Sequence, residues 1–357
     1  MFMQRLRRSS SNGFTIIEVL LVLAIIGLLL TLGLPAIQSA RESARRAQCL
    51  DNMRQYGLAF AMFESQNAGF PSGVTLEIKG PLTGDSEWHV HNYMADLLPF
   101  LGAGGIDTQY HRDALYCAPQ NHIAIGTALP VALCPSASHL DVLPENVFVP
   151  SLLVSKQVRE AKPFASLWAN LDKKYSAKFQ GAVTDYSVPV EASAALAKQF
   201  GYAIPTNDLA GLGGMFPWPI DDTKTLYAKA TLLLATSETV RFSRRIKASE
   251  VTDGMSNTFL LTEVAGRPER WQNGRHSGLG EPWQSAWSDP RTVLQIDGTD
   301  GPSGKCLLQC DNENEIYSFH PAGANFLFAD GHVQTAPANT DPRIILEWLT
   351  PGHIDGN

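Results

Sequence analysis

An apolar segment near the N-terminus, residues 14–34, constrains this chain most. It carries one charged side chain, Glu18, and is followed directly by Pro35. A helix of this length, rising about 1.5 Å per residue, spans roughly 30 Å, which is the thickness of a bilayer core. The segment is longer than the apolar part of an ordinary secretory signal, and Gln38-Ser39-Ala40 is a poor cleavage site. The sequence therefore predicts a membrane-spanning helix.

Glu18 is the unusual residue of this segment. A carboxylate at the centre of a membrane helix costs roughly 2.5–3.5 kcal/mol, and it costs less near an end. One interpretation is that Glu18 lies in the first helical turn, where the helix dipole stabilises an anion. The other interpretation is functional and depends on the residues that surround it.

Those residues form a recognisable signal. The string Gly13-Phe14-Thr15-Ile16-Ile17-Glu18 follows a short leader with three arginines and no acidic residue, and it resembles the type IV prepilin signal for cleavage and methylation. The resemblance implies that a prepilin peptidase cuts between Gly13 and Phe14 and methylates Phe14. It also implies that Glu18 pairs with the terminal amine of a neighbouring subunit, since a buried amine and a buried carboxylate compensate each other. A plain signal anchor is the alternative.

The charges beside the helix do not orient it, because three arginines precede it and four follow closely. The resemblance implies an orientation instead. It places the leader in the cytoplasm, a single pass through the lipid of the inner (cytoplasmic) membrane, and the globular part on the periplasmic or extracellular side.

The helix is expected to continue beyond the membrane. Residues 36–65 contain no proline and one glycine, Gly57, and their apolar residues recur every three or four positions. The predicted divisions are a leader (1–13), a transmembrane half of the helix (14–34), an extra-membrane half (35–66), a β-rich globular domain (67–340) and a C-terminal tail (341–357).

The body is acidic and rich in turn residues. From Gln55 onward there are 21 Lys and Arg against 32 Asp and Glu, so nucleic acid is not an expected partner. Short apolar runs between Gly, Pro, Asn and Asp clusters predict strands. The predicted strands are 146–154, 180–190, 226–236, 257–264, 291–296 and 323–329, with helices near 191–200 and 341–349. The predicted fold class is α+β, a long N-terminal helix packed on a mostly antiparallel β-rich body.

Four further segments, 49–55, 133–136, 251–258 (which precedes a strand and Glu263) and 318–333, resemble the bacterial pilin-like family called domain of unknown function 1559. The signature of that family, a histidine, nine residues and then Asp-Gly, fits this chain near its C-terminus. The resemblance covers roughly residues 14–340, with His332 and Ala322 as departures. The residues that carry the family motif are His320, Gly323, Asp330, Gly331, Asp253 and Gly254.

The two resemblances imply a membrane-anchored, pilin-like or pseudopilin-like structural subunit. It would assemble with other pilin-like subunits through its N-terminal helix, in a type II secretion or type IV pilus-like assembly. The alternative is a surface-exposed module that binds a solute, a carbohydrate or a protein, which would explain a body near 290 residues. An enzyme is not expected, because the sequence has no G-x-S-x-G, H-E-x-x-H, Walker A or G-x-G-x-x-G pattern.

The C-terminal motif is expected to be structural. Asp330-Gly331 predicts a hairpin turn with positive φ at Gly331, which His320 could cap or bridge. A metal site there, including His332, is a less favoured alternative. Calcium prefers oxygen ligands, which the acidic segment 311–315 could supply, although a solvated loop is the expected role of that segment. We expect no metal and no other cofactor.

Two other groups of side chains could bind a ligand. His89 and His91 share a face if 88–93 is a strand, but no third zinc ligand can be placed. Trp271, Trp283 and Trp287 lie in a polar, Gly-rich stretch. Core anchoring is the expected role of these tryptophans, and a carbohydrate- or partner-binding platform is the alternative.

The five cysteines suit an oxidising compartment. Cys306 and Cys310 could close a small loop. The resemblance favours a second disulfide between Cys49 and Cys134, which would tie the helix to the body and leave Cys117 single. Cys117–Cys134 is the rival pairing, and the sequence does not choose between them.

Overall fold

The computed structural model describes residues 15–80, 87–138, 145–148, 169–170, 172–173, 176–202, 212–214, 216, 239–280, 284–299 and 306–352. The predicted strand 226–236 and most of the predicted strand 146–154 lie outside these residues. The chain divides into two compact units, Met1–Arg45 and Arg46–Asn357. The division falls at a different place from the boundaries that the sequence suggests, and those boundaries stay predictions.

The first element is a helix of 52 residues, α1 (Ile16–Asn67), which includes Pro35. It ends where Ala68 adopts a positive φ of 54°, the left-handed conformation that commonly ends helices. Within the first unit, the large apolar side chains from Ile16 to Ile37 are each between 46% and 82% exposed. By length and composition, this helix can cross a membrane.

In the second unit, the rest of α1 supplies part of the core. Its buried side chains recur every three or four residues, as the sequence predicts, and include Met53, Tyr56, Phe60 and Phe63. The ring of Phe60 lies 5.7 Å from that of Phe216. This stretch of α1 is therefore a core helix of the body.

The strands of the body, all within the described residues, are short. They are β1 (Val74–Lys79), β2 (Glu87–Asn92), β3 (Glu145–Phe148), β4 (Ala177–Gln180), β5 (Tyr186–Ala192), β6 (Leu212–Gly213), β7 (Thr239–Phe242), β8 (Phe259–Glu263), β9 (Glu269–Gln272), β10 (Arg275–Leu279), β11 (Val293–Ile296), β12 (Ala324–Phe328) and β13 (Val333–Ala336). The further helices are α2 (Tyr93–Leu97), α3 (Gly104–Asp107), α4 (His122–Ile125), α5 (Ala194–Gln199) and α6 (Pro342–Leu349).

The central sheet has the order β11-β5-β8-β12-β13, with β6 paired to β5. The β11–β5 pair is parallel and the other pairs are antiparallel. Smaller sheets are β2-β1-β7, β9-β10 and β3-β4. The architecture is α+β with mostly antiparallel strands, as the sequence predicts.

The central sheet is covered on both faces, since every residue of β5, β8 and β12 is buried. One apolar cluster joins side chains of the sheet, such as Leu261 and Leu327, to Tyr56 and Phe60 of α1. A second cluster joins side chains such as Phe259 and Phe326 to α5 and α6. Because both faces are buried, the sequences of these strands are mostly apolar runs and do not alternate regularly between apolar and polar residues.

Candidate functional site

The first described turn of α1 holds Glu18 by a local hydrogen-bond pattern. Its Oε2 atom accepts hydrogen bonds from the backbone N of Thr15 at 2.8 Å and from Thr15 Oγ1 at 2.7 Å. The hydroxyl of Thr15 accepts in turn from the backbone N of Glu18 at 3.4 Å. A Thr-x-x-Glu pair with reciprocal hydrogen bonds is a capping box. The structure thus places Glu18 in the first turn, where the helix dipole favours its charge. The predicted cleavage residues Gly13 and Phe14 lie outside the described residues.

A second candidate site lies inside the body, where four segments distant in sequence converge. Cys49 comes from α1, Cys134 from the loop that follows Pro130–Ala132, Glu263 from the end of β8, and His320 from the segment before β12. One ligand atom from each lies within 4.8 Å of the other three, and all four residues are buried. We call these four residues the Cys–His–Glu cluster.

The cysteines and the histidine of the cluster are in direct contact. Sγ of Cys49 lies 2.7 Å from Sγ of Cys134, with no covalent bond between them. Sγ of Cys134 lies 3.5 Å from Nε2 of His320. The structure therefore brings together the cysteine pair that the family resemblance favours. Their disulfide stays a prediction.

Glu263 lies beside the same nitrogen of the histidine. Its Oε1 atom lies 3.6 Å from Nε2 of His320. Asn325 donates to both carboxylate oxygens, from Nδ2 at 3.1 Å and from the backbone N at 2.9 Å. Burial raises the pKa of Glu263, although His320 and Asn325 act in the opposite direction.

Polar contacts also hold the loop of Cys134. The carboxylate of Asp185 accepts hydrogen bonds from the backbone N of Cys134 at 2.6 Å and from that of Gly266 at 2.9 Å. Nδ2 of Asn52, on α1, donates to the carbonyl of Leu133 at 3.0 Å. The hydrogen bond with Cys49 and burial raise the pKa of the Cys134 thiol above its usual range.

Cys117 lies in a different environment from the cluster. Its carbonyl is 3.1 Å from Nε2 of His122. Burial, followed by the charge of Asp289, raises the pKa of its thiol to about 12. The other predicted pair is confirmed, because Cys306 and Cys310 form a disulfide.

The C-terminal motif builds the hairpin between β12 and β13. Gly331 has a φ of +90°, as predicted, and Oδ1 of Asp330 accepts from the backbone N of His332 at 3.0 Å. The expectation that His320 caps or bridges this hairpin is wrong, because its ring belongs to the Cys–His–Glu cluster. At Gly323 a Cβ atom would lie 1.9 Å from the carbonyl oxygen of Ala336, so glycine is required there.

The other family segment forms a turn before β8. Gly254 has a φ of +96°, and the carbonyl of Asp253 accepts from Nδ2 of Asn257 at 2.8 Å. Oγ1 of Thr258 lies 3.3 Å from the carbonyl oxygen of Thr350. This turn thus holds the residue that follows α6 beside the start of β8, which is a structural role.

The acidic segment 311–315 is not the solvated loop that we expected. Asp311, Asn312 and Glu315 are each at most 3% exposed. Oδ2 of Asp311 accepts from Arg270 at 3.1 Å, and Oε1 of Glu315 accepts from the backbone N of Gly298 at 2.5 Å. Calcium binding by this segment, the less favoured alternative, is untested.

The other candidate ligands have structural roles. Both ring nitrogens of His91 are engaged, Nδ1 with the hydroxyl of Tyr110 and Nε2 with the carbonyl of Arg112, each at 2.8 Å. Burial lowers the pKa of His91 to about 4. Trp287 is fully buried and donates to the carbonyl of Thr127, as expected of a core anchor. Trp283 lies outside the described residues.

Comparisons with known proteins agree with these features. The family model described as "Protein of unknown function (DUF1559)" matches residues 38–343, and the one described as "Prokaryotic N-terminal methylation motif" matches residues 8–34. The chain is 28% identical over 98 residues to a "Type II secretion system core protein G" of Pseudomonas aeruginosa, which covers 26% of this chain and 68% of that protein. No solved structure matches the chain.

The N-terminal motif, the apolar helix and this similarity identify a pilin-like structural subunit with a membrane-anchoring helix. The match over residues 38–343 includes all four segments that build the Cys–His–Glu cluster. The chain belongs to the family described as Protein of unknown function (DUF1559).

Proposed function

We propose that the protein is a single-pass subunit of the inner membrane that a prepilin peptidase cuts between Gly13 and Phe14. The mature chain then assembles through α1 with other pilin-like subunits, in a type II secretion or type IV pilus-like machine. The methylation motif, which matches residues 8–34, supports the cleavage step. The similarity to a type II secretion core protein supports this kind of machine. The role that we propose is structural and includes no catalytic step.

The first part of α1 exposes its apolar side chains, and this observation is the main support for the proposal. Large apolar side chains on all sides of the helix, from Ile16 to Ile37, are exposed within their unit. Each buried CH₂ group gains about 0.8 kcal/mol, so such a surface is stable only when lipid or other helices cover it. Lipid covers it in the isolated subunit, and neighbouring α1 helices replace part of that lipid in the assembly.

Glu18 is the group that we propose for pairing between subunits. In the capping box its carboxylate accepts two hydrogen bonds from Thr15, both through Oε2. Oε1 is therefore the oxygen that we assign to the methylated amine of a neighbouring chain. A charged partner would offset the cost of placing the carboxylate in lipid.

The disulfide of the body supports an oxidising compartment. Cys306 and Cys310 are bonded, and disulfides persist in oxidising compartments such as the periplasm. This supports the proposed orientation, with the leader in the cytoplasm and the body on the periplasmic or extracellular side.

The test is the N-terminal sequence and intact mass of the protein recovered from purified membranes. A chain that begins with methylated Phe14 is the expected result. A Gly13→Val variant, with a branched side chain at the cleavage position, should remain uncut and serves as the control. A wild-type chain that still begins at Met1 would contradict the proposal, and the binding module on a plain anchor would then be favoured.

A further inference from the structure

The Cys–His–Glu cluster has no part in the assembly function proposed above. Its four side chains come from α1, the Cys134 loop, β8 and the segment before β12, and all of them are buried. We propose that this cluster binds one Zn²⁺ ion, which cross-links α1 to the body.

The donor set matches the chemistry of zinc. Zinc in proteins binds thiolate sulfur, imidazole nitrogen and carboxylate oxygen, and its structural sites have four protein ligands in a tetrahedron. Two thiolates make the set too soft for calcium or magnesium, which take oxygen ligands. All four donors belong to the protein and all are buried, so the site is of the closed, structural type.

Two of the distances already fit a tetrahedral site. Zinc bond lengths of about 2.0–2.3 Å imply separations of roughly 3.3–3.8 Å between ligand atoms. Cys134 Sγ lies 3.5 Å from His320 Nε2, and His320 Nε2 lies 3.6 Å from Glu263 Oε1. These two separations match those between ligand atoms of a tetrahedral zinc site.

The separation of the two sulfur atoms fits neither a zinc site nor a disulfide, which is the main alternative. They lie 2.7 Å apart, so zinc requires them to separate by about 1 Å, whereas a disulfide requires them to close to about 2.05 Å. A disulfide would use the two sulfurs alone and leave the ion pair of His320 and Glu263 beside it. Zinc uses all four groups, and thiolates bound to zinc inside the core are shielded from oxidants.

The surrounding hydrogen bonds support the ligands as they do at known metal sites. Ligands of a metal are held in orientation by a shell of donors and acceptors around them. Asn325 fixes both oxygens of Glu263, and Asp185 fixes the backbone at Cys134. Asn52 ties the turn of α1 next to Cys49 to the carbonyl of Leu133. Three of the four ligands therefore have neighbours that hold them toward one point.

Binding would replace protons with the ion. Zn²⁺ takes two thiolates, so uptake releases the proton of each cysteine thiol to solvent. The ion would join three regions of the second unit that are distant in sequence: α1, the Cys134 loop and the central sheet. The site is thus a cross-link that positions the core half of α1.

The first experiment measures the wild-type chain, purified from membranes in detergent without chelator. Elemental analysis should give one zinc per chain. In the denatured protein, without reductant but with chelator, Cys49 and Cys134 should both react with an alkylating reagent. Uptake of Co²⁺ should produce thiolate-to-cobalt charge-transfer bands. A metal-free chain with a Cys49–Cys134 disulfide would overturn the proposal in favour of that disulfide. A metal-free chain with free thiols would overturn it in favour of a hydrogen-bonded core cluster.

Variants then locate the ion. His320→Ala should lower the zinc retained against a competing chelator at least tenfold, in line with the loss of a ligand. Cys117→Ser is the matched control, because Cys117 is also buried but lies outside the cluster, and its zinc content should equal that of the wild type. Equal retention in both variants would contradict the proposed site. If His320→Ala fails to fold, the metal content and thiol state of the wild type still decide the question.

Discussion

Residues 16–37 and residues 49–63 belong to one helix, α1, and both stretches are rich in large apolar side chains. In the first stretch these side chains are exposed, whereas in the second Met53, Tyr56 and Phe60 are fully buried. The glycines differ in the same way. A Cβ atom at Gly33 would meet nothing within 4 Å, but one at Gly57 would lie 3.0 Å from Leu327 Cδ1.

The number of apolar residues therefore does not determine whether a helix segment packs in a core or lies in a membrane. The positions of those residues around the helix determine it. The stretch 49–63 has an apolar stripe at a spacing of three or four, which one face of a sheet can cover. The stretch 16–34 is apolar all round, so only an apolar solvent or several neighbouring helices can cover it. One helix therefore belongs to a protein core at one end and to a membrane at the other.

Alanine substitutions in the two stretches should give the largest contrast. Phe60→Ala should lower the free energy of unfolding of the body by about 3–5 kcal/mol, because it leaves a cavity beside Tyr93 and Phe216. Leu23→Ala removes an exposed side chain and should leave that free energy unchanged. Urea melts of the full chain in detergent would measure both. Equal losses would mean that the two stretches are packed alike.

Glu18→Ala should change assembly and leave the stability of the body unchanged, the opposite of Phe60→Ala. We expect assembly with other subunits to fall at least tenfold, about 1.4 kcal/mol of association free energy, while the melting of the body stays the same. Cross-linking of subunits in membranes would measure assembly. Glu42→Ala is the matched control, since Glu42 is also an acidic residue of α1 but pairs with Arg45 on its own helix. Assembly that survives Glu18→Ala would exclude the pairing role.

The two glycines should respond in opposite directions. Gly57→Ala should destabilise the body by about 1 kcal/mol, because the crowding at Leu327 costs more than the gain in helix propensity. Gly33→Ala has open space and should stabilise the helix by roughly 0.5–1 kcal/mol without any effect on the body. Helix content and body melting, measured in the same samples by circular dichroism, would separate the effects. A destabilised body in Gly33→Ala would contradict the comparison.

The sequence predicts best the features that local patterns determine. The length of the apolar segment predicts the membrane helix, and the spacing of apolar residues predicts the core helix. Asp330-Gly331 predicts the hairpin, because Gly331 needs a positive φ. The apolar runs predict β8, β11 and β12, since the strands of a doubly covered sheet contain few polar residues.

The Cys–His–Glu cluster could not be predicted in this way. The segments of Cys49, Cys134 and His320 resemble parts of a family motif, but 186 residues separate Cys134 from His320. Which residues meet depends on how α1 and the central sheet pack, and no local pattern records that packing. For Glu263 the one signal is its position at the end of a predicted strand.

The sequence does not predict the exposed hairpin β9–β10, for a different reason. Its strands are polar and mostly in contact with water, so they lack apolar alternation. The local signal was Asn273-Gly274, whose φ angles of +48° and +76° suit a two-residue hairpin turn. The hairpin packs beside the acidic segment, where Arg270 pairs with Asp311. That pairing offsets the cost of burying the carboxylate of Asp311.

The smallest predicted effect is a change with pH in the stability of the body, caused by Asp96. Burial raises the pKa of Asp96 to about 6, although Arg245, Arg112 and Arg241 act in the opposite direction. The folded state thus holds a proton that the unfolded chain releases near pH 4, so Asp96 makes the body less stable as pH rises from about 4 to about 6. In Asp96→Asn this contribution is absent. The variant should therefore gain stability over the wild type across that window, up to about 1 kcal/mol, and then keep a constant advantage.

Urea melts at several pH values would measure the difference, with the exposed Asp113→Asn as control. A difference between Asp96→Asn and wild type that does not change with pH would mean that the pKa of Asp96 is the same in the folded and unfolded chain, because its three arginines offset its burial.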